Sequence, residues 1–137
     1  ESQIIEARAY GADCILLIVA CLTRTQLREL VASCRKYDIQ PLVEVHTVEE
    51  MTLALDTEGV EFIGINNRNL HTFETDIRTT VNLAPKFSDE LIIISESGIY
   101  NNIQIKMLRE KNVNAFLVGE SIIKSDNMTK AIQDLLD

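Results

Sequence analysis

The chain has 137 residues, 46% of them hydrophobic and 25% charged, the profile of one soluble globular domain and not of a disordered tract. Its formal net charge is −8, so it repels phosphate backbones and anionic headgroups, and nucleic acid and membrane are excluded as expected partners. A small phosphorylated ligand in a locally positive site is not excluded, and no apolar run approaches the roughly 18 residues of a membrane helix.

In chain order the pattern is a helix followed by five strand–helix units. The opening helix carries Ile4, Ile5 and Ala9 and is closed by Gly11. The first strand is expected over Cys14 to Val19. Leu27, Leu30, Val31 and Cys34 then mark one helix face, with Thr23 and Gln26 as a capping box at its start. The second strand runs from Pro41 to Val45. Thr47 and Glu50 repeat the capping signal before Met51, Ala54 and Leu55, and Gly59 is expected to stop that helix. After the third strand, Phe62 to Ile65, Asp76 is the expected cap of a helix bearing Ile77, Val81 and Ala84, with Pro85 near its end. The fourth strand is Leu91 to Ile94, followed by a helix with Ile103, Met107 and Leu108. The fifth is Phe116 to Val118, followed by a helix capped by Asp126 and carrying Met128, Ala131, Ile132 and Leu135.

Each strand is near-continuously apolar, which predicts parallel strands buried on both faces. The fold class is therefore α/β, either a doubly wound open sheet or part of a (β/α)8 barrel. A complete barrel needs eight strands and about 250 residues. Five strands after a leading helix fall short, and the chain opens Glu1-Ser2-Gln3 without a methionine. Both features predict a single domain over 1–137 that is a piece of a longer barrel. Cys14, Cys21 and Cys34 are odd in number and form no C-x-x-C. They are expected as reduced thiols used as small apolar residues, in keeping with a cytoplasmic protein.

In α/β folds ligands bind beyond the carboxyl ends of the strands. Glu44 lies inside an apolar strand, where a carboxylate is costly unless paired or used; burial could suit it to proton transfer. A salt-bridged structural role fits its position equally well. His46 just beyond it reads as a strand-end residue, since further ligands for a metal are missing at close spacing. Asn66 could orient a substrate hydroxyl or cap the next turn. Arg68 could hold a phosphate or lie solvated, and Asn67 and Asn69 read as turn formers. Ser97-Gly98 and Gly119-Glu120 form two strand-end turns whose backbone N–H groups can approach an anion. No Walker A, G-x-G-x-x-G or G-x-S-x-G motif occurs.

Taken together, Leu42-Val43-Glu44-Val45-His46, Ile63-Gly64-Ile65-Asn66-Asn67-Arg68-Asn69-Leu70 with Thr72-Phe73-Glu74, Ser95-Glu96-Ser97-Gly98-Ile99 and Leu117-Val118-Gly119-Glu120-Ser121 resemble the indole-3-glycerol phosphate synthases. Glu6 to Asp13 resembles them too, and the match spans the chain in order. The resemblance implies barrel strands four to eight, with strands one to three absent. It also implies an enzyme of tryptophan biosynthesis, a lyase without cofactor or metal. The family closes the ring of 1-(2-carboxyphenylamino)-1-deoxyribulose 5-phosphate with loss of carbon dioxide and water. By the same resemblance Glu44, Asn66 and Ser97 are catalytic, and Arg68, Glu96, Gly98, Gly119 and Glu120 bind substrate. Gly119 and Glu120 would act mainly through backbone N–H groups.

The family's strand-one lysine and glutamate, and its general-acid lysine on strand three, have no counterpart here. Lys36, Lys86, Lys106 and Lys111 fall on helices or loops. This segment alone is therefore expected to be inactive and to expose sheet edges that pair with a second copy or with missing strands. Two further readings stand beside this one. Phosphoribosylanthranilate isomerase shares the scaffold, but Cys14 and Cys21 lack the pattern it would need. A non-catalytic phosphate-binding half-barrel would keep the site residues as remnants.

Overall fold

The computed structural model describes all 137 residues. Its elements are α1 (Ser2–Ala9), β1 (Cys14–Ile18), α2 (Arg24–Lys36), β2 (Gln40–Val45), α3 (Val48–Leu55), β3 (Phe62–Asn66), α4 (Arg78–Leu83), β4 (Ile92–Glu96), α5 (Asn102–Arg109), β5 (Ala115–Leu117), α6 (Glu120–Ile123) and α7 (Met128–Leu136). The strands hydrogen-bond in the order β1-β2-β3-β4-β5. The β1–β2 and β4–β5 pairs are parallel, with Cys14 opposite Gln40 and Ile94 opposite Ala115. No helix is long and apolar enough to cross a membrane. The chain divides into two compact units, 1–64 and 65–137, with the boundary inside β3.

In the first unit, Leu27, Val31 and Cys34 of α2 are fully buried, as their spacing predicts. The capping box forms as expected: Gln26 N–H donates to Thr23 Oγ1 at 3.3 Å, and Thr23 N–H to Gln26 Oε1 at 2.9 Å. Of the α1 residues only Ile4 is buried; Ile5 and Ala9 are exposed. The stop of α3 differs from expectation. Thr57 Oγ1 donates to the carbonyl of Leu53 at 2.9 Å, satisfying a last-turn acceptor. Gly59 comes four residues after α3 and shapes the approach to β3. Its φ is +88°, and a Cβ there would lie 2.6 Å from the Arg35 guanidinium.

In the second unit, the N-cap of α4 is Ile77, without a side-chain cap bond, and the expected cap Asp76 lies one residue earlier, its Oδ1 accepting from Arg78 N–H at 3.0 Å. Two other expectations are corrected. The cap of α7 is Asn127, whose Oδ1 accepts from Lys130 N–H at 2.9 Å, and not Asp126. The inward face of α5 is Ile105 and Leu108, while Ile103 is 79% exposed. Asn101 caps this helix, its Oδ1 accepting from Gln104 N–H at 3.0 Å, which fixes where the first turn begins. Ile99, Ile105 and Leu135 then form a small core with Phe116, Val118 and Ile122.

Burial on both strand faces holds only in the middle of the sheet. In β2 every residue after Gln40 is buried. In the outer strands Leu16 of β1 is 44% exposed and Leu117 of β5 is 57% exposed. All three cysteines are reduced, but only Cys34 is buried; Cys14 and Cys21 are exposed and do not serve as core residues. Burial raises the Cys34 thiol above its ordinary pKa, with the neighbouring Cys14 adding to the effect.

Candidate active site

Each unit carries polar groups where its strands end. In the first, Glu44 is the penultimate residue of β2 and pairs with Ile18 across the ladder. It is 3% exposed. His46 follows directly after β2. Its Nε2 lies 3.5 Å from Glu44 Oε1, and its Nδ1 lies 3.2 Å from Glu50 Oε2. The capping pattern at Thr47 is only half made. Glu50 N–H donates to Thr47 Oγ1 at 3.2 Å, but the Glu50 carboxylate accepts from His46 N–H at 2.6 Å instead of from the cap residue.

In the second unit β4 extends to Glu96, two residues beyond the expected end. Ser95 and Glu96 are therefore buried strand residues and not part of the following turn. The expected turn former Asn67 is 2% exposed and joins three elements. Its Nδ2 donates to Ser95 Oγ, to Glu96 O and, at 3.0 Å, to Ser97 O. Its Oδ1 accepts from Thr80 N–H and, at 2.8 Å, from Thr80 Oγ1. Asn69 is a turn former as read, its Oδ1 accepting from His71 N–H at 2.8 Å. The signal that marks Asn67 is Thr80, which falls at i+3 from Ile77 and i−4 from Ala84, on the inward face of the helix. A polar residue there demands a buried partner.

Asn67 braces an unusual backbone. Ser97 and Gly98 both have positive φ, +64° and +70°. At Gly98 a Cβ would lie 3.2 Å from that of Thr75, so both conformation and space call for glycine. Gly119 differs: its φ is −125° and a Cβ would meet nothing within 4 Å. Asn66 ends β3, and its Oδ1 accepts from Arg68 N–H at 2.9 Å, which turns the chain. Arg68 Nη1 donates to Phe73 O at 2.8 Å, and Nη2 pairs with Glu120, whose other oxygen meets Lys124 Nζ at 2.5 Å. Lys124 first, then Arg68, holds the Glu120 carboxyl below its ordinary pKa.

A cavity of about 200 Å³ opens here, lined by Arg68, Ser97, Gly98, Tyr100, Gly119 and Glu120 among others. Five of the eight residues singled out from the sequence therefore meet in the second unit. The Arg68 guanidinium and two turn backbones line the space, a donor set suited to a phosphate or carboxylate. Asn66 and Glu96 end the two strands that lead to it. Glu44 belongs to the first unit.

Comparison with known proteins covers nearly the whole chain. A family model for indole-3-glycerol phosphate synthase matches residues 1–135. A curated indole-3-glycerol phosphate synthase from Koribacter versatilis is 43% identical over 135 residues, covering 98% of this chain and 52% of its own length. This chain thus spans about half of the curated relative. Among solved structures, the tryptophan synthase α-subunit of the hyperthermophile Pyrococcus furiosus superposes with a TM-score of 0.72 at 16% identity, covering 98% of this chain and 59% of that one. An aspartate-to-alanine mutant of that subunit gives 0.74 at 18% identity, with the same coverage of both chains. These likenesses show the fold: an α/β parallel sheet with helices, corresponding to part of a (β/α)8 barrel.

Proposed function

This chain belongs to the indole-3-glycerol phosphate synthase family, and we propose that it supplies strands four to eight of a barrel that closes the indole ring of 1-(2-carboxyphenylamino)-1-deoxyribulose 5-phosphate. The observation that carries this reading is the second unit's cavity, where Arg68, Ser97, Gly98, Gly119 and Glu120 meet. In this reading the substrate phosphate enters the cavity and takes over Arg68 from Glu120. A bidentate guanidinium–phosphate pair replaces a side-chain ion pair, so the cation is never left unpaired. The backbone N–H groups at Gly98 and Gly119 complete the cradle, and Gly119 is suited to close approach because it presents no side chain.

Glu44 is the proton-transfer carboxylate of this reading. Asn66 and Ser97 act on the reacting groups, and Glu96 contacts substrate. The reaction needs no cofactor or metal. A general acid is still required, and the lysines here are placed elsewhere: Lys36 pairs with Glu1, and Lys106 donates to Asp137 O. That acid is assigned to the portion of the family's length that this chain does not span. Removing such a proton donor typically costs orders of magnitude in rate. The protein works in the cytoplasm, on a small phosphorylated substrate and not on nucleic acid.

The test is a fluorescence assay for indole-3-glycerol phosphate. It is run on this segment and on the segment joined to the upstream half of the barrel. Product is expected only from the longer form, and Glu44→Gln should then lower kcat with KM nearly unchanged. Absence of product from both forms would reject the reading in favour of a phosphate-binding half-barrel.

A further inference from the structure

Glu50 holds the third position of α3, from which a glutamate ordinarily reaches back to the N–H of its own cap residue. Here its Oε2 takes His46 N–H at 2.6 Å and lies 3.2 Å from His46 Nδ1. A carboxylate oxygen only accepts, so this shorter contact favours the tautomer with the proton on Nδ1. The other ring nitrogen, Nε2, is 3.5 Å from Glu44 Oε1. With Nδ1 protonated, a neutral ring offers only a lone pair at Nε2. Two lone pairs facing one another repel, whereas one proton between them makes the approach attractive. The side chains of Glu44, His46 and Glu50 are 4%, 12% and 19% exposed, so water screens the arrangement little.

We propose that His46 is a positioning residue for Glu44: aimed by Glu50, its Nε2 shares one proton with Glu44 Oε1 and holds that carboxylate ready for proton transfer. This rests on the reading of Glu44 as the proton-transfer carboxylate. The proton sits either on Glu44, with its O–H donating to Nε2, or on Nε2, with its N–H donating to the carboxylate. One bond breaks as the other forms, and the net charge of the pair is the same in both forms. The separation is longer than an ordinary hydrogen bond, as catalytic contacts commonly are before substrate closes the site. The arrangement also accounts for the half-made cap at Thr47, because the Glu50 carboxylate is committed to His46.

The experiment uses the full-length protein that carries this segment, labelled with nitrogen-15 in the histidine rings. His46→Gln assigns the His46 signals against those of His71 and any other histidine of the longer protein. Nδ1 should read as protonated, and Nε2 should fall between the protonated and unprotonated extremes. Glu44→Gln should drive Nε2 to the unprotonated extreme, because an amide N–H donates to it and takes no proton. Glu50→Gln should disturb the Nδ1 signal. An unprotonated Nδ1 in the parent protein, or ring signals indifferent to both substitutions, would overturn the proposal.

In turnover, His46→Gln is expected to lower kcat by roughly tenfold to a hundredfold with KM within about twofold. Glu50→Gln, which keeps the ring but exchanges its carboxylate anchor for a neutral amide, should lower kcat less. An unchanged kcat in both variants would also overturn the proposal. The spectra need no substrate, so a parent protein with the expected ring signals but no ring-closing activity would reject the functional reading alone.

Discussion

Five hydrogen bonds converge on the side chain of Asn67, from or to Ser95, Glu96, Ser97 and Thr80. Four of them are buried, and the one to the Ser97 carbonyl is partly so. Asn67→Ala should therefore cost about 2–4 kcal/mol, because several buried groups lose their partner at once. Thr80→Val removes only the hydroxyl, which bonds Asn67 Oδ1 at 2.8 Å and Ser95 Oγ at 2.9 Å, and should cost about 1–2 kcal/mol. Urea unfolding of the two variants measures both, and a cost near zero for Asn67→Ala would mean that the clamp is dispensable. Glu120 gives a pH dependence. Its carboxyl pKa is held below the ordinary value in the folded state, by Lys124 first and then by Arg68. A lowered folded pKa contributes stability that is fully present above the unfolded value and is lost as pH falls through the folded one. The stability difference between the parent and Glu120→Gln should accordingly shrink on acidification below the ordinary carboxylate range. Unfolding midpoints compared at neutral and acid pH read this directly, and a difference that grows in acid would refute it.

At the scale of elements, the caps fix where each helix begins. Asn101 and Asn127 each accept a backbone N–H three residues on. Asn127→Ala should cost about 1 kcal/mol, the usual worth of a cap, whereas Asp126→Ala should be close to neutral. Thermal denaturation of the pair separates the two assignments; the reverse order would restore Asp126 as the cap. The residues expected to mark the inward face of α5 are Ile103, Met107 and Leu108, and of these only Leu108 is buried. Ile105 joins it on the inward face, and Ile103 is left in solvent. In α2 the capping box and the apolar spacing agree, and there the expected face is the observed one. The element most consequential for the site is β4. Running to Glu96, it carries two polar residues into buried strand positions; Asn67 and Thr80 supply partners for the Ser95 hydroxyl, and Asn67 one for the Glu96 backbone carbonyl.

At the scale of the whole molecule, the outermost strands of the sheet are β1 and β5. Both have the composition of strands buried on two faces, yet Leu16 and Leu117 stand exposed. Strands of this kind invite pairing with another chain. Expressed by itself, the segment is expected to elute in size-exclusion chromatography with light scattering as an assembly heavier than its 15.5 kDa. A well-folded monomer of that mass would reject the expectation. Joined to the upstream half of the barrel, the same strands should gain neighbours and the self-association should disappear.

The five strand–helix units, the parallel α/β class and five of the residues lining the second unit's cavity were determined by the sequence, because apolar runs, caps and strand-end turns are local patterns; the short α6 and the cavity-lining Tyr100 were not. Arg68, Ser97, Gly98, Gly119 and Glu120 could be named from such patterns and from family resemblance alone. Only the tertiary structure decided how those side chains are held. Asn67 reads locally as a turn residue and becomes a buried clamp because Thr80, Ser95 and the Ser97 carbonyl arrive from distant positions in the chain. His46 reads as a strand end and gains a role from Glu50, one helical turn away, which turns from its own cap to the imidazole. Polar partners brought together by folding leave no periodicity behind, so their pairing could be seen only once the strands and helices had been placed.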